Sequence, residues 1–247
     1  MKISWQSLHY QVKQYVAESP STRDPLFFWY ILKVRGLKSL KKLLWLGKLY
    51  DAEFFADHEQ LKVSYEKLAE LIYEWYTPSS VCDMGCGNGF IIQFLAQRGV
   101  QICGIEGSPE ALKFIHPSIL DRVVILDLTR RQKVGTYDLV ISTEVAEHVP
   151  KRYSDALIDN VTHAARQNIL FTAAQPGQWG DGHINCQPRE FWIDLFAQHG
   201  WRYDKQATES FTDKAKAIPE ITSFTDWLIS NFMLFAADNI DTTATKH

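Results

Sequence analysis

The 247-residue sequence contains no uninterrupted apolar run of the roughly 20 residues that a membrane-spanning helix requires. Its first residues, "MKISWQSLHYQVKQ", lack the apolar core and small-residue cleavage site of a secretory leader. Cysteine is scarce. Cys82, Cys86, Cys103 and Cys186 form no C-x-x-C pair, so free thiols in a reducing cytoplasm are expected, with zinc ligation by Cys82 and Cys86 as a lesser alternative. Neither sign of charge dominates. The net charge of −3 excludes a general polyanion binder and argues against a nucleic-acid partner. Repeats and low-complexity tracts are missing too. What is present is an ordinary globular composition, 46% hydrophobic and 13% aromatic, ample for one core.

One segment departs from the charge balance. Between Leu26 and Tyr50 stand Lys33, Arg35, Lys38, Lys41, Lys42 and Lys48 with no acid, interleaved with Phe27, Phe28, Trp29, Leu40, Leu44 and Trp45. A basic amphipathic helix of this kind can lie on a membrane surface or meet an acidic partner. Packing of the apolar stripe on the domain, with the lysines solvated, is the plainer expectation.

The order of elements predicts an α/β fold. Residues 1–64 read as a helical lid or substrate region, and 65–238 as the main domain. Residues 239–247 read as a disordered polar tail. "YEKLAELIYEWY" spaces Leu68, Leu71, Ile72 and Trp75 as an amphipathic helix. Strands are then expected at "SVCDM", "VQICGIE", "RVVILDL", "YDLVIST" and "NILFTAA". The intervening helices are "FIIQFLAQRG", "SPEALKFI" (Ser108 as N-cap, Pro109 first) and "YSDALIDNVTHAAR". "PREFWIDLFAQHG" is a further helix, and "WRYDKQ" and "NFMLFAAD" are strands six and seven. This alternation predicts a seven-stranded, mostly parallel sheet, its last strand antiparallel, with helices on both faces.

Between the first strand and first helix lies "DMGCGNGF", in which Gly85, Gly87 and Gly89 permit a tight turn and close approach of a ligand. The spacing is G-x-G-x-G, not the G-x-G-x-x-G of dinucleotide folds. Asp83, before the first glycine, would repel a pyrophosphate and suits a cationic ligand. Glu106, ending the second strand, can accept both hydroxyls of a ribose.

With these features the sequence resembles the class I (Rossmann-like) S-adenosylmethionine-dependent methyltransferases over about residues 65–238. Asp83 with Gly85, Cys86, Gly87 and Gly89 matches the family's first motif. Glu106, followed by Gly107, matches the acid that holds the cofactor ribose. Asp127, with Leu128 beside it, matches the adenine position, and "YDLVISTEVAEHV" matches the fourth-strand motif. The resemblance implies S-adenosylmethionine as cofactor and an active site at the carboxyl edge of the sheet, where Glu144 would border the cofactor.

That fourth-strand motif carries Glu144, Glu147 and His148. A helical turn would bring them to one face. In one reading His148 is a general base that Glu147 orients. In a second, Glu144, Glu147, His148 and His183 of "GDGHIN" bind Mg²⁺, Mn²⁺ or Zn²⁺ near a diol or catechol. The pattern is similar to metal sites of small-RNA 2′-O-methyltransferases and ubiquinone-pathway catechol O-methyltransferases; Val149 stands where the RNA enzymes commonly carry a second histidine. In a third, the acids only favour a helix start. His183 is also a candidate catalytic residue. Tyr50, Phe54 and Phe55 are expected at the methionine end of the cofactor. The expected substrate is a small molecule bearing a hydroxyl: a sugar, polyol or catechol-like metabolite. The alternatives are an amine or guanidine, then RNA, then a non-catalytic cofactor-binding regulator.

Overall fold

The computed structural model of the protein describes residues 50–237 other than Trp179 and Asp181. The basic segment before Tyr50, most of the expected lid and the expected tail lie outside the described residues.

The chain enters through α1 (Ala52–His58) and α2 (Lys62–Tyr76) and reaches β1 (Ser80–Met84). There follow α3 (Phe90–Gln97), β2 (Gln101–Glu106), β3 (Val123–Ile125), β4 (Tyr137–Ser142), α4 (Ser154–Ala164) and β5 (Ala165–Phe171). The last third comprises α5 (Arg189–Gln198), β6 (Trp201–Tyr203), α6 (Lys205–Lys216), α7 (Pro219–Ile229) and β7 (Met233–Ala237). The strands form a single seven-stranded sheet in the order β3-β2-β1-β4-β5-β7-β6. β1 to β5 are parallel, and β7 runs antiparallel to both β5 and β6. The expected antiparallel last strand is therefore present, whereas β6 keeps the direction of the first five.

Alternation along the central strands explains the three layers, because successive side chains leave opposite faces of a sheet. Val81, Leu139, Ile141, Leu170 and Leu234 face a core shared with α2, α3, α6 and α7. Their neighbours Cys82, Val140, Ile169, Phe171, Met233 and Phe235 face a second core with α4 and α5. In this second core Phe171 meets Trp192 and Phe196 with ring centroids 5.4 and 5.1 Å apart, and Phe196 stacks on Phe235 at 4.0 Å.

Polar side chains move several expected boundaries. α2 begins at Lys62, so the expected limit at residue 64 falls inside a helix. "SPEALKFI" is a 3₁₀ turn over Pro109–Lys113, although Ser108 caps it as expected through Glu110 N–H. The third strand stops at Ile125 because Asp127 Oδ1 accepts from Thr129 N–H at 2.9 Å and turns the chain. Ala165 and Arg166 belong to β5, not to the preceding helix. Arg166 donates to Asp138 Oδ1 at 2.9 Å and to Ser80 Oγ at 3.0 Å, which fixes it on the sheet. "WRYDKQ" is strand only to Tyr203, since Asp204 caps α6 by accepting from Ala207 N–H at 2.9 Å. Gly200, just past the end of α5, has φ +78°, the left-handed conformation that stops a helix.

Candidate active site at the carboxyl edge of the sheet

Three loops meet beyond the carboxyl ends of β1, β2, β4 and β5. The glycine turn follows β1. Gly85 has φ +84°, and a Cβ there would collide with Val145 of the loop after β4, so this glycine joins two functional loops. Gly87 has φ +53° with open space where its Cβ would stand. It is the glycine of the motif that leaves room for a ligand; Gly89 packs on Ile119. Cys86 is buried, and burial pushes its thiol up.

Asp83 is 2% exposed, and its Oδ1 accepts no hydrogen bond. Burial, then the nearby Glu106, pushes its carboxyl up to about 7. Glu106 Oε2 accepts from Gly87 N–H at 3.0 Å, while Oε1 accepts from Gly107 and Ser108 N–H at 2.8 and 2.9 Å. The carboxylate thus sets the shape of the turn. One acceptor direction on Oε2 stays available to a hydroxyl. A buried carboxylate with Oδ1 unsatisfied, an open glycine and an acid with one acceptor direction left fit a cationic, ribose-bearing ligand such as S-adenosylmethionine. Asp127 is exposed, its oxygens engaged with Thr129 and Arg130, and Leu128 is buried in the second core. The Leu128 side chain serves packing.

The segment preceding α2 is tied to this turn. Asn88 Nδ2 donates to Phe55 O at 2.9 Å and to Glu59 Oε1 at 2.8 Å, and Ser108 Oγ donates to Tyr50 O at 2.8 Å. Tyr50 thereby presents its ring edge-on to His148, centroids 5.6 Å apart. Phe54 packs on His58 and Phe55 on Phe114.

After β4 the expected helical turn does not include all three ionisable residues. Only Ala146–His148 form a 3₁₀ turn, and Glu144 has φ +56°, a left-handed conformation rare for glutamate. Its N–H donates to Thr172 Oγ1 at 2.9 Å, and its Oε1 accepts from Asn231 Nδ2 at 3.1 Å. Glu147, His148 and His183 converge, with one ligating atom from each lying within 4.8 Å of the others; Glu144 stands outside this group. The His148 and His183 rings meet edge to face, 4.9 Å between centroids.

The loop carrying His183 is stitched to the turn. Ile184 and Asn185 N–H both donate to Glu147 O at 2.8 and 2.9 Å, and buried Asn185 donates to Ala146 O and Ser154 Oγ. Asn185 is thereby a structural bridge from the loop to the turn and to the start of α4. With Nδ1–H donating to Gln178 O at 3.2 Å, Nε2 is the nitrogen that His183 would offer to a metal. The ring lies so close to Gly180 that no side chain fits there.

Glu147 is fully buried, and neither carboxylate oxygen accepts a well-formed hydrogen bond. Burial and the adjacent Glu144 push its carboxyl well above the usual range. Burial likewise raises Glu144, while its contacts with Glu147, Thr172 and Asn231 oppose the rise. A buried acid beside two imidazoles suits a divalent ion or a protonated amine.

Tyr65, on α2, was legible only as a helix position. Its hydroxyl is held above its ordinary pKa by burial and then by Glu144, Asp83 and Glu147. The phenol therefore stays protonated within electrostatic reach of all three acids. No motif spacing marks it, because it comes from a different part of the chain.

A family model described as a methyltransferase domain matches residues 58–206, more than half of the chain. The chain belongs to the methyltransferase-domain family. Within this methyltransferase, the ubiquinone biosynthesis O-methyltransferase of Leptothrix cholodnii is 26% identical over 165 residues, covering 52% of this chain and 66% of the relative. That of Bordetella pertussis is 31% identical over 131 residues, covering 50% and 48%. The chain thus matches about half to two thirds of the length of these relatives. Among solved structures, CalS10, an amino pentose methyltransferase from Micromonospora echinaspora bound to SAM, aligns over 76% of this chain and 98% of its own, with TM-score 0.56 and 12% identity. Streptomyces venezuelae DesVI aligns with TM-score 0.54 and 12% identity over 76% and 96%. These two likenesses bear on the fold.

Proposed function

We propose that this methyltransferase moves a methyl group from S-adenosylmethionine to a hydroxyl of a small molecule: a sugar, polyol or catechol-like metabolite. The observation that carries the reading is the convergence of Glu147, His148 and His183 beside the glycine turn. S-adenosylmethionine supplies a methyl group already activated on its sulfonium. The protein's work is to align the acceptor and accept its proton. Asp83, Gly85, Cys86, Gly87, Gly89, Glu106 and Gly107 would form the cofactor cradle, with Asp127 at its rim. Glu144 would border it.

His148, faced by Tyr50 and His183, would take the hydroxyl proton, and Glu147 would support the resulting imidazolium. The same three side chains would hold a divalent ion, which when bound lowers the pKa of a hydroxyl and fixes its orientation. The relatives' O-methyltransferase names support oxygen as acceptor. Among the described residues no cysteine forms a disulfide, which supports a reducing, cytoplasmic setting. Among the described residues no helix is long and apolar enough to cross a membrane.

A second reading, methylation of an amine, is favoured by the Glu147 carboxylate, which could receive an ammonium ion. Methyl transfer to catechols, sugars and amines, each with and without chelator, separates the two. Hydroxyl methylation lost on chelation and restored by Mg²⁺ or Mn²⁺ supports the metal-assisted form. Hydroxyl methylation indifferent to chelator assigns His148 as a metal-free base. Turnover confined to amines overturns the hydroxyl reading.

A further inference from the structure

Asn231 lies outside every motif on which the site was read. It occupies the connection between α7 and β7, is fully buried, and donates from Nδ2 to Glu144 Oε1 at 3.1 Å across 87 residues of sequence. A buried amide is costly unless its hydrogen bonds are made. Here the surrounding backbone is built to present it. Asn231 N–H donates to Leu228 O at 3.0 Å. The carbonyls on either side belong to Ser230 and Phe232, and Arg189 engages both: Nη2 donates to Ser230 O at 2.8 Å and Nη1 to Phe232 O at 2.6 Å. A planar guanidinium with fixed donors is suited to such a clamp. Arg189 is the first residue of α5, and its Nη1 also donates to Tyr203 hydroxyl at 3.2 Å.

The recipient is held in a conformation that needs holding. Glu144 adopts its left-handed backbone with Thr172 on its N–H and Asn231 on its carboxylate. A non-glycine residue in this region is strained and persists only where its surroundings enforce it.

We propose that Asn231, clamped by Arg189, is a positioning residue for Glu144. It holds the Glu144 carboxylate at the α7–β7 connection, out of the Glu147–His148–His183 group. The C-terminal antiparallel strand thereby acquires a role in the site built on β4. The catalytic consequence rests on the proposed reading of that site; the positioning does not.

The test uses the full-length protein with S-adenosylhomocysteine and follows hydrogen–deuterium exchange. In Asn231→Ala, peptides covering residues 143–149 should exchange at least tenfold faster than in the natural protein. In a Glu144→Ala background the same substitution should change them less than twofold, because the partner is gone. Equal acceleration in both backgrounds overturns the proposal, since a merely structural asparagine would act regardless of Glu144. Should Asn231→Ala lack a cooperative thermal transition, the isosteric Asn231→Asp replaces it, setting carboxylate against carboxylate. The same background dependence is expected, and its absence is equally fatal. With an acceptor that turns over, Asn231→Ala should lower kcat tenfold or more while S-adenosylhomocysteine affinity stays within twofold. An unchanged kcat refutes the catalytic consequence. Failure of every acceptor counts against the proposed function and leaves exchange to decide the positioning.

Discussion

Replacing Asp83 with asparagine should make the cofactor-free protein more stable at pH 8 and weaken its hold on S-adenosylmethionine. The carboxyl is 2% exposed, its Oδ1 accepts no hydrogen bond, and burial with the charge of Glu106 lifts it to about 7. An aspartate in the unfolded chain titrates near ~4. A group whose folded pKa is raised stabilises the fold fully below its unfolded value, and this contribution is lost as pH climbs through the folded value. For Asp83 the loss runs from about pH 4 to about pH 7, and at about 1.4 kcal/mol per pH unit its upper limit is about 4 kcal/mol. Asparagine cannot ionise and has no such slope. In urea unfolding between pH 5 and pH 8, Asp83→Asn should gain about 2–4 kcal/mol on the natural protein at pH 8, with less than half of that at pH 5. Calorimetric titration should meanwhile record cofactor affinity lower by tenfold or more at pH 8. A stability difference that stays flat across this range would refute the argument that a buried, unpaired carboxyl sits beside the glycine turn.

Glu106→Gln should weaken S-adenosylhomocysteine binding by about 1–3 kcal/mol in the same titration, because an amide has a single oxygen acceptor and sets its NH2 group against turn N–H groups. Gly85→Ala should lower thermal stability more than Gly87→Ala, since only Gly85 faces Val145 while both have positive φ; equal losses would contradict the packing role. Phe171→Ala should cost about 3–5 kcal/mol in urea unfolding by opening the cluster with Trp192 and Phe196. His183→Ala should lower kcat about a hundredfold or more while leaving S-adenosylhomocysteine affinity within twofold; loss of both together would move His183 from the proposed reaction site to the cofactor site.

The parallel core of the fold was legible because it rests on local signals. Short apolar runs mark β1, β2, β4 and β5, and the "GCGNG" turn needs no distant partner to be recognised. The boundaries that moved did so through side chains acting across space or over one turn. Arg166 is strand because Asp138 and Ser80 receive it, and "WRYDKQ" ends early because Asp204 prefers to cap a helix.

The candidate site divides in the same way. Glu147, His148 and His183 come together as their types suggested, the loop being stitched to the turn through Glu147 O. Glu144 does not join them, because helical spacing was assumed where the backbone is left-handed. Asn231 and Tyr65 carried no sequence signal, since their relation to Glu144 exists only after α2 and β7 have docked.

The central claim is methyl transfer to a hydroxyl at the Glu147–His148–His183 group. It is tested most directly by incubating the purified protein with S-adenosylmethionine carrying a labelled methyl group and a panel of catechols, sugars, polyols and amines, then locating the label by mass spectrometry and NMR. The account predicts label on an oxygen in the natural protein and at least a hundredfold less in His148→Ala, with cofactor binding preserved. Label on nitrogen, or undiminished oxygen methylation in His148→Ala, would contradict it.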